Sequence, residues 1–210
     1  MTHGSSERSV QAAFTLAAFG DEIDDDLDAQ IDLLSELGIG LLELRSAWGT
    51  NVLTMDDAQV ADVRAACAGR SIKVSCIGSP LGKTPITDPL ETTLEHLDRI
   101  LWVARQLGTD KVRVFSFYPP GEQGERAADA YLPEAIHRLS RMAQVAAQRD
   151  VVLLLENERE IVGDTPERCR FILEGVDSPH LRFVWDPANF VQVGVEKATE
   201  RGWPILAPYL

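Results

Sequence analysis

The sequence predicts an α/β domain in which a parallel sheet, closed as a barrel, is covered by helices. Three observations carry this. Short apolar runs alternate six times with longer segments of helical period, the pattern of β-then-α units. The runs are apolar on consecutive residues, as in Val151-Val152-Leu153-Leu154-Leu155, which suits strands buried on both faces. Polar residues recur at the C-terminal ends of six separate runs, where a barrel assembles its site; an open doubly wound sheet concentrates its site at one crevice.

The first apolar run is Phe14 to Phe19, and a helix follows from about Asp24, with Leu27, Ile31, Leu34 and Leu37 on one stripe and Gly38 as its stop. The second run is Gly40 to Leu44; its helix spans about Asp56 to Ala68 and ends at Gly69. The third run is Ile72 to Ile77. Asp88-Pro89 opens the next helix, a capping residue followed by proline at the first helical position, and Leu90, Leu94, Leu97, Leu101 and Ala104 hold the period to Gly108. The fourth run is Val112 to Phe117, and its helix starts near Pro133 with Ile136, Leu139, Ala143 and Ala146. The fifth run is Val151 to Leu155. Thr165-Pro166 opens its helix, which carries Cys169, Ile172 and Leu173 and ends at Gly175. The sixth run is Leu181 to Trp185, with helical stretches expected from Glu196 and near Trp203 to Tyr209. No Gly-, Pro- or Ser-rich linker divides the units. Residues 1–12 therefore read as a polar tail and 13–210 as one domain.

Composition narrows the function classes. The 210 residues are 45% hydrophobic and 25% charged, which excludes a disordered chain. Lys and Arg number 20 against 33 Asp and Glu, a net charge of −13. Such a surface repels phosphates, so nucleic acid is not expected as a partner. Cys67, Cys76 and Cys169 are odd in number and lack CxxC spacing, which fits buried small hydrophobes rather than disulfides or a zinc knuckle. Met1 to Gln11 has no apolar core, so no secretory signal is read there. No apolar stretch approaches the ~20 residues of a membrane span. The expected location is the cytoplasm, with no membrane partner.

The first strand-to-helix loop reads Gly20-Asp21-Glu22-Ile23-Asp24, with one glycine and three acids. It lacks the GxGxxG of a dinucleotide site, and no GxxxxGK[ST] occurs. The polar strand ends are Asp21 and Glu22, Glu43 and Arg45, Ser79, Ser116 and Tyr118, then Glu156, Asn157 and Glu158, and finally Asp186 and Asn189. Glu156 and Asp186 are the sharpest pair, because each follows a strand that should be buried. A carboxylate there is costly to desolvate unless a cation or donor meets it. Two on neighbouring strands suit a hard divalent ion. Equally, each could cap a following loop or pair with an arginine.

The segments Leu154-Leu155-Glu156-Asn157-Glu158, Gly163-Asp164-Thr165-Pro166-Glu167 and Phe183-Val184-Trp185-Asp186-Pro187-Ala188-Asn189-Phe190 resemble the sugar phosphate isomerase/epimerase family. This is the xylose isomerase-like barrel group, which also includes the endonuclease IV type of DNA repair enzyme. Glu43-Leu44-Arg45 is similar to the family's pattern at the second strand, and the resemblance runs from about Phe14 to Leu210. It implies a (β/α)8 TIM barrel, a small sugar, sugar phosphate or polyol as substrate, and a divalent metal (Mn, Mg or Zn) at the strand ends. The family's ligands are a Glu, an Asp, a His and a Glu on strands five to eight; the first two carry over onto Glu156 and Asp186. Glu156 also falls where the family has one of its two acid/base carboxylates. Asn189 falls where relatives have a substrate-contacting residue, and Glu43, Arg45 and Glu22, lining the same mouth, are further substrate-contact candidates.

The sequence departs from that pattern by stopping at Ala207-Pro208-Tyr209-Leu210. The expectation is a barrel cut short after six units, strands seven and eight absent, with an incomplete metal site; a complete one runs to about 250 residues. The four histidines do not fill the gap. His3 is in the tail, His96 and His137 fall on outer helices, and His180 precedes strand six at the opposite face. Asp24-Asp25-Asp26 lacks EF-hand spacing and suits a helix N-terminus. Phe115 to Pro120 could shape a pocket or close a loop, Trp48 could line the mouth, and Pro119 to Ala127 reads as a polar lid-like loop. The leading expectation is a metal-dependent isomerase or epimerase acting by proton transfer next to a carbonyl. The alternatives are an incomplete barrel without activity, self-associating through its open edges as a homo-oligomer, and a nuclease of the endonuclease IV type.

Overall fold

The computed structural model describes residues 15–121 and 125–210. Six parallel strands form one sheet: β1 (Ala18–Phe19), β2 (Leu41–Leu44), β5 (Lys73–Ile77), β6 (Lys111–Val114), β7 (Val152–Glu156) and β8 (Leu181–Val184), in that order. Each pairs with the next in the chain, so no switch point exists. A barrel wall has this order and a doubly wound sheet does not. The crossovers carry α1 (Leu27–Glu36), α2 (Asp57–Gly69), α3 (Leu90–Leu107), α4 (Glu125–Ala147) and α5 (Pro166–Val176), and after β8 come α6 (Pro187–Gln192) and α7 (Ala198–Leu206).

The core lies between sheet and helices. Leu42, Leu44, Val112, Val114, Leu153, Leu155, Leu181 and Phe183 face Ile31, Leu34, Val63, Leu97, Leu101, Leu139 and Ile172 in one buried cluster. The alternate positions, Glu43 on β2, Val152, Leu154 and Glu156 on β7, and Arg182 and Val184 on β8, are half-buried on the other face. That period of two separates a packing face from a site-bearing face.

Several boundaries differ from the sequence reading. β1 is two residues rather than Phe14 to Phe19: the chain turns into a 3-10 helix at Gly20–Glu22, and Phe14 lies outside the described residues, as does the expected tail. A hairpin of β3 (Ser46–Ala47) and β4 (Thr50–Asn51) was not anticipated; Trp48 and Gly49 turn it with φ of 54° and 67°. Helix α3 starts at Leu90 with Pro89 flanking it, so the proline is not its first helical residue. Helix α4 starts at Glu125 and runs through Pro133, which the sequence reading took as its start. The missing N–H is outweighed there by packing of Tyr131, Leu132, Ala135 and Leu139 on the core. Of the lid-like loop, Glu125 to Ala127 are helical backbone and 122–124 lie outside the described residues. Helix α6 is an element the sequence reading does not include, and the two late stretches are one helix, α7, ending in a 3-10 turn at Ala207–Tyr209.

The loops above the strand ends are tied together by backbone bonds. Phe115 and Phe117 donate N–H to the carbonyls of Leu81 and Gly82 at 2.8 and 2.9 Å, and Val162 donates to Phe117 at 2.9 Å. Gly82 has φ of +86°, and a Cβ there would stand 2.1 Å from the Phe115 carbonyl oxygen, so only glycine allows this approach. Phe115 and Phe117 are fully buried, which makes the aromatic segment a loop closure rather than a pocket wall.

Candidate active site

Strand ends β1, β2, β5, β6, β7 and β8 converge on a cavity of about 240 Å³ lined by Phe19, Glu43, Cys76, Arg113, Leu154, Glu156, Val184, Trp185, Asp186 and Pro187. Three residues singled out from sequence, Glu43, Glu156 and Asp186, meet in it.

Glu156 ends β7, and Arg113 on β6 reaches it with Nη1 at 3.3 Å from Oε2. Their side chains are only 13% and 9% exposed, so the pair is well shielded from water. Arg113 is fixed further by Nη2 donating to the Gly78 carbonyl at 3.2 Å and by the rings of Phe19 and Phe115, 5.1 and 4.9 Å from its central carbon. Its buried Nε has no hydrogen-bond partner. Burial holds the Glu156 carboxyl above its ordinary pKa; Arg113 opposes that and Asp186 adds to it. Burial likewise raises Glu43 against the pull of Arg113. One guanidinium thus offsets two desolvated carboxyls. Cys76 is pushed up to about 12 by burial, with Glu43 adding, so it stays a thiol and is no nucleophile.

Asp186 follows β8 and caps α6: its Oδ1 accepts from the N–H groups of Ala188 and Asn189 at 2.8 and 3.1 Å. Asn157 locks β7 to β8, donating from Nδ2 to the Asp186 carbonyl at 2.8 Å and accepting from its N–H at 3.3 Å. Asn189 is buried beneath, donating to the Asn157 carbonyl at 2.9 Å while its Oδ1 accepts from Gln192 at 3.2 Å. Both ends of Asn189 are engaged within the protein.

Glu22 and Arg45 stand at the rim rather than in the cavity. Arg45 Nε donates to Asp21 Oδ2 at 2.7 Å, its Nη2 lies 3.4 Å from Glu22, and its guanidinium covers Phe19 at 4.9 Å. Asp21 accepts also from Ser46 at 2.7 Å. Across the mouth, Lys83 pairs with Glu158 at 2.8 Å over the Phe115 ring. Burial raises Glu158, but the bonds from Lys83 and the Arg159 N–H outweigh it and hold the carboxyl below its ordinary value. Arg113 and Lys83 were missed in the sequence. The signal for Arg113 was there: a charged residue at the inner-face position of the apolar Val112-Arg113-Val114.

For a metal, Glu156 and Asp186 supply oxygen donors on adjacent strand ends, a hard-ion set. No group of three or more His, Cys, Asp or Glu side chains placed to hold an ion occurs among the described residues. The pair fits half a site, and Arg113 and the α6 cap already engage one oxygen of each. His96 and His137 are exposed on outer helices, and His180 bonds the Val151 carbonyl at 2.8 Å where β7 and β8 begin, at the strand ends opposite the site. All three cysteines are buried and free. Among the described residues no helix is long and apolar enough to cross a membrane.

Comparison with known proteins agrees with this architecture. Among solved structures, the chain is similar to the probable 3-DHS dehydratase AsbF of Bacillus anthracis, at 18% identity and a TM-score of 0.72, covering 94% of this chain and 70% of that one. It is similar also to a xylose isomerase-like TIM barrel protein of Mycobacterium smegmatis in complex with magnesium, at 17% identity and a TM-score of 0.69, covering 87% and 63%. A third is D-psicose 3-epimerase with D-tagatose from Clostridium cellulolyticum H10, at 14% and 0.69, covering 90% and 66%. The chain thus spans about two thirds of the length of these structures. No curated protein matches the sequence. The family model described as xylose isomerase-like TIM barrel matches residues 31–207, and the chain belongs to that family.

Proposed function

We propose that this barrel belongs to a metal-dependent isomerase or epimerase acting on a small sugar, sugar phosphate or polyol by proton transfer next to a carbonyl. The observation that carries the reading is Glu156: a carboxyl at a strand end, shielded from water, beside a guanidinium and facing a cavity of about 240 Å³. Burial makes it a stronger base once ionised, because the proton it gains relieves a desolvated charge. Arg113 works against that rise and so favours the ionised form. In this role Glu156 takes a C–H proton, the electron pair moves onto the neighbouring carbonyl oxygen, and Glu156 returns the proton at the adjacent carbon; delivery to the opposite face would need a second acid from outside the described residues.

Glu156 and Asp186 would hold a divalent ion (Mn, Mg or Zn), with the remaining ligands supplied from outside the described residues. Such an ion would stabilise the oxyanion that develops at the carbonyl. Glu43 would meet substrate hydroxyls in the cavity, with Arg45 and Glu22 at the rim. Asn189 would contribute through Oδ1, shared with Gln192, while its amide holds the Asn157 carbonyl. The magnesium and sugar named for the two structural neighbours support this assignment. A nuclease role has no support in the mouth, where carboxyls outnumber cations.

The test is solvent deuterium exchange at the carbon beside the carbonyl of a ketohexose, with Mn²⁺ present. Glu156→Gln should lower exchange by at least 100-fold. Exchange at the wild-type rate overturns the role.

A further inference from the structure

Resting on that reading, we infer that the mouth takes an uncharged polyhydroxylated carbonyl compound and rejects its phosphorylated or carboxylated counterparts. A protein binds a phosphate with a free Arg or Lys or with the bare N-terminus of a helix. Among the described residues around the cavity both devices are occupied. Arg113 is spent on Glu156, Arg45 on Asp21 and Glu22, and Lys83 on Glu158. Those three cations stand among six carboxyls, since Glu43 and Asp186 also line the cavity. Arg159 is exposed, and Arg182 sits beside Leu154 in register on the inner face; neither lines the cavity.

The helices tell the same story. In a β/α wall the helix N-termini follow the strand ends, so they open toward the mouth. Helices α1, α2 and α6 are capped by the carboxylates of Asp26, Asp56 and Asp186, each accepting from first-turn N–H groups. Helices α3 and α5 carry Glu91 and Glu167 in the first turn. An arriving phosphate would meet carboxylates at each of these places. A divalent ion held by Glu156 and Asp186 would neutralise the cavity lining, while the mouth as a whole, with six carboxyls against three cations, would stay negative. A neutral polyol instead finds acceptors in Glu43, Glu22 and Asp186 for its hydroxyls and bears no charge to be repelled.

The experiment titrates the 210-residue protein with D-fructose and with D-fructose 6-phosphate at 20 mM ionic strength, followed by ligand-observed NMR. The phosphate should bind at least tenfold more weakly, and added salt should narrow the gap. Glu158→Gln frees Lys83 and should raise phosphate affinity at least threefold, leaving the neutral sugar within twofold of wild type. A phosphate that binds as tightly as the neutral sugar, or a ratio that Glu158→Gln leaves unchanged, overturns the inference while the isomerase reading stands. Binding of neither compound, with no C–H exchange, removes both.

Discussion

Arg113 does the electrostatic work of the cavity, and its cost when removed should exceed that of any single carboxyl there. It is 9% exposed, bonded to Glu156 and to a carbonyl, and stacked between two rings. Arg113→Leu leaves Glu156 and Glu43 as desolvated carboxyls without a counter-charge, so the loss should be about 3 kcal/mol in urea denaturation at neutral pH. Glu156→Gln in the same assay should cost less, because no buried charge is then left uncompensated among the carboxyls. Glu43 gives a pH signature. Its folded-state pKa is raised, chiefly by burial, so the folded state holds the proton more tightly than the unfolded chain. Its contribution to stability is therefore greatest below the unfolded value of 4.5 and declines as pH rises from there through the folded pKa. Glu43→Gln removes that decline: the difference in Tm between variant and wild type should move in the variant's favour as pH is raised from 4 to 7. An unchanged difference across that range would show that Glu43 is not desolvated. Both effects were hidden at the sequence level, where Glu43 and Glu156 were visible as polar strand ends but the cation between them sat inside an apolar run.

At the scale of elements, the sequence was most legible where packing and backbone chemistry agree. Strands β2 and β5 to β8 and helices α1, α2, α3 and α5 follow the apolar periodicity, and Thr165-Pro166 opens α5 with Thr165 accepting from the Arg168 N–H at 3.4 Å. Legibility failed where the two conflict. Pro133 looks like a helix start but sits inside α4, and Asp186-Pro187 looks like a metal ligand before a loop but is also a helix cap. The short β3–β4 hairpin has too few residues to show alternation at all. The loop that roofs the site is held by one such hidden constraint, Gly82. Gly82→Ala would force a methyl group into the Phe115 carbonyl at positive φ, and the only relief is to break the bonds that join this loop to the β6 end. We expect a loss of more than about 2 kcal/mol, and faster amide exchange at Phe115 and Phe117, whose N–H groups bond that loop. Unchanged protection at both would show that the loop relaxes without cost.

For the whole molecule, the sheet order is what the sequence conveyed best, since six units pairing in chain order leave one architecture. It also sets how the molecule behaves in solution. Among the described residues β1 pairs only with β2, and β8 only with β7, so each presents an unpaired row of N–H and C=O groups. Near the β8 end, Val191 and Trp203 are 63% and 45% exposed. Edge pairing between copies is therefore favoured locally. A net charge of −13 opposes it, and that repulsion acts over roughly a Debye length, about 10 Å at 0.1 M salt. The balance fixes the sign of the salt effect: screening the charge should increase association, the reverse of what ion-pair contacts would give. Sedimentation at 100 μM should thus show a weight-average mass above the 23.1 kDa of one chain, rising from 20 to 300 mM NaCl. Val184→Lys puts a charge on the half-buried face of the β8 edge strand and should return the mass toward one chain. A mass of 23.1 kDa at every salt concentration would mean that the two edges are blunted in solution, and that charge rather than sheet geometry governs this molecule's self-contacts.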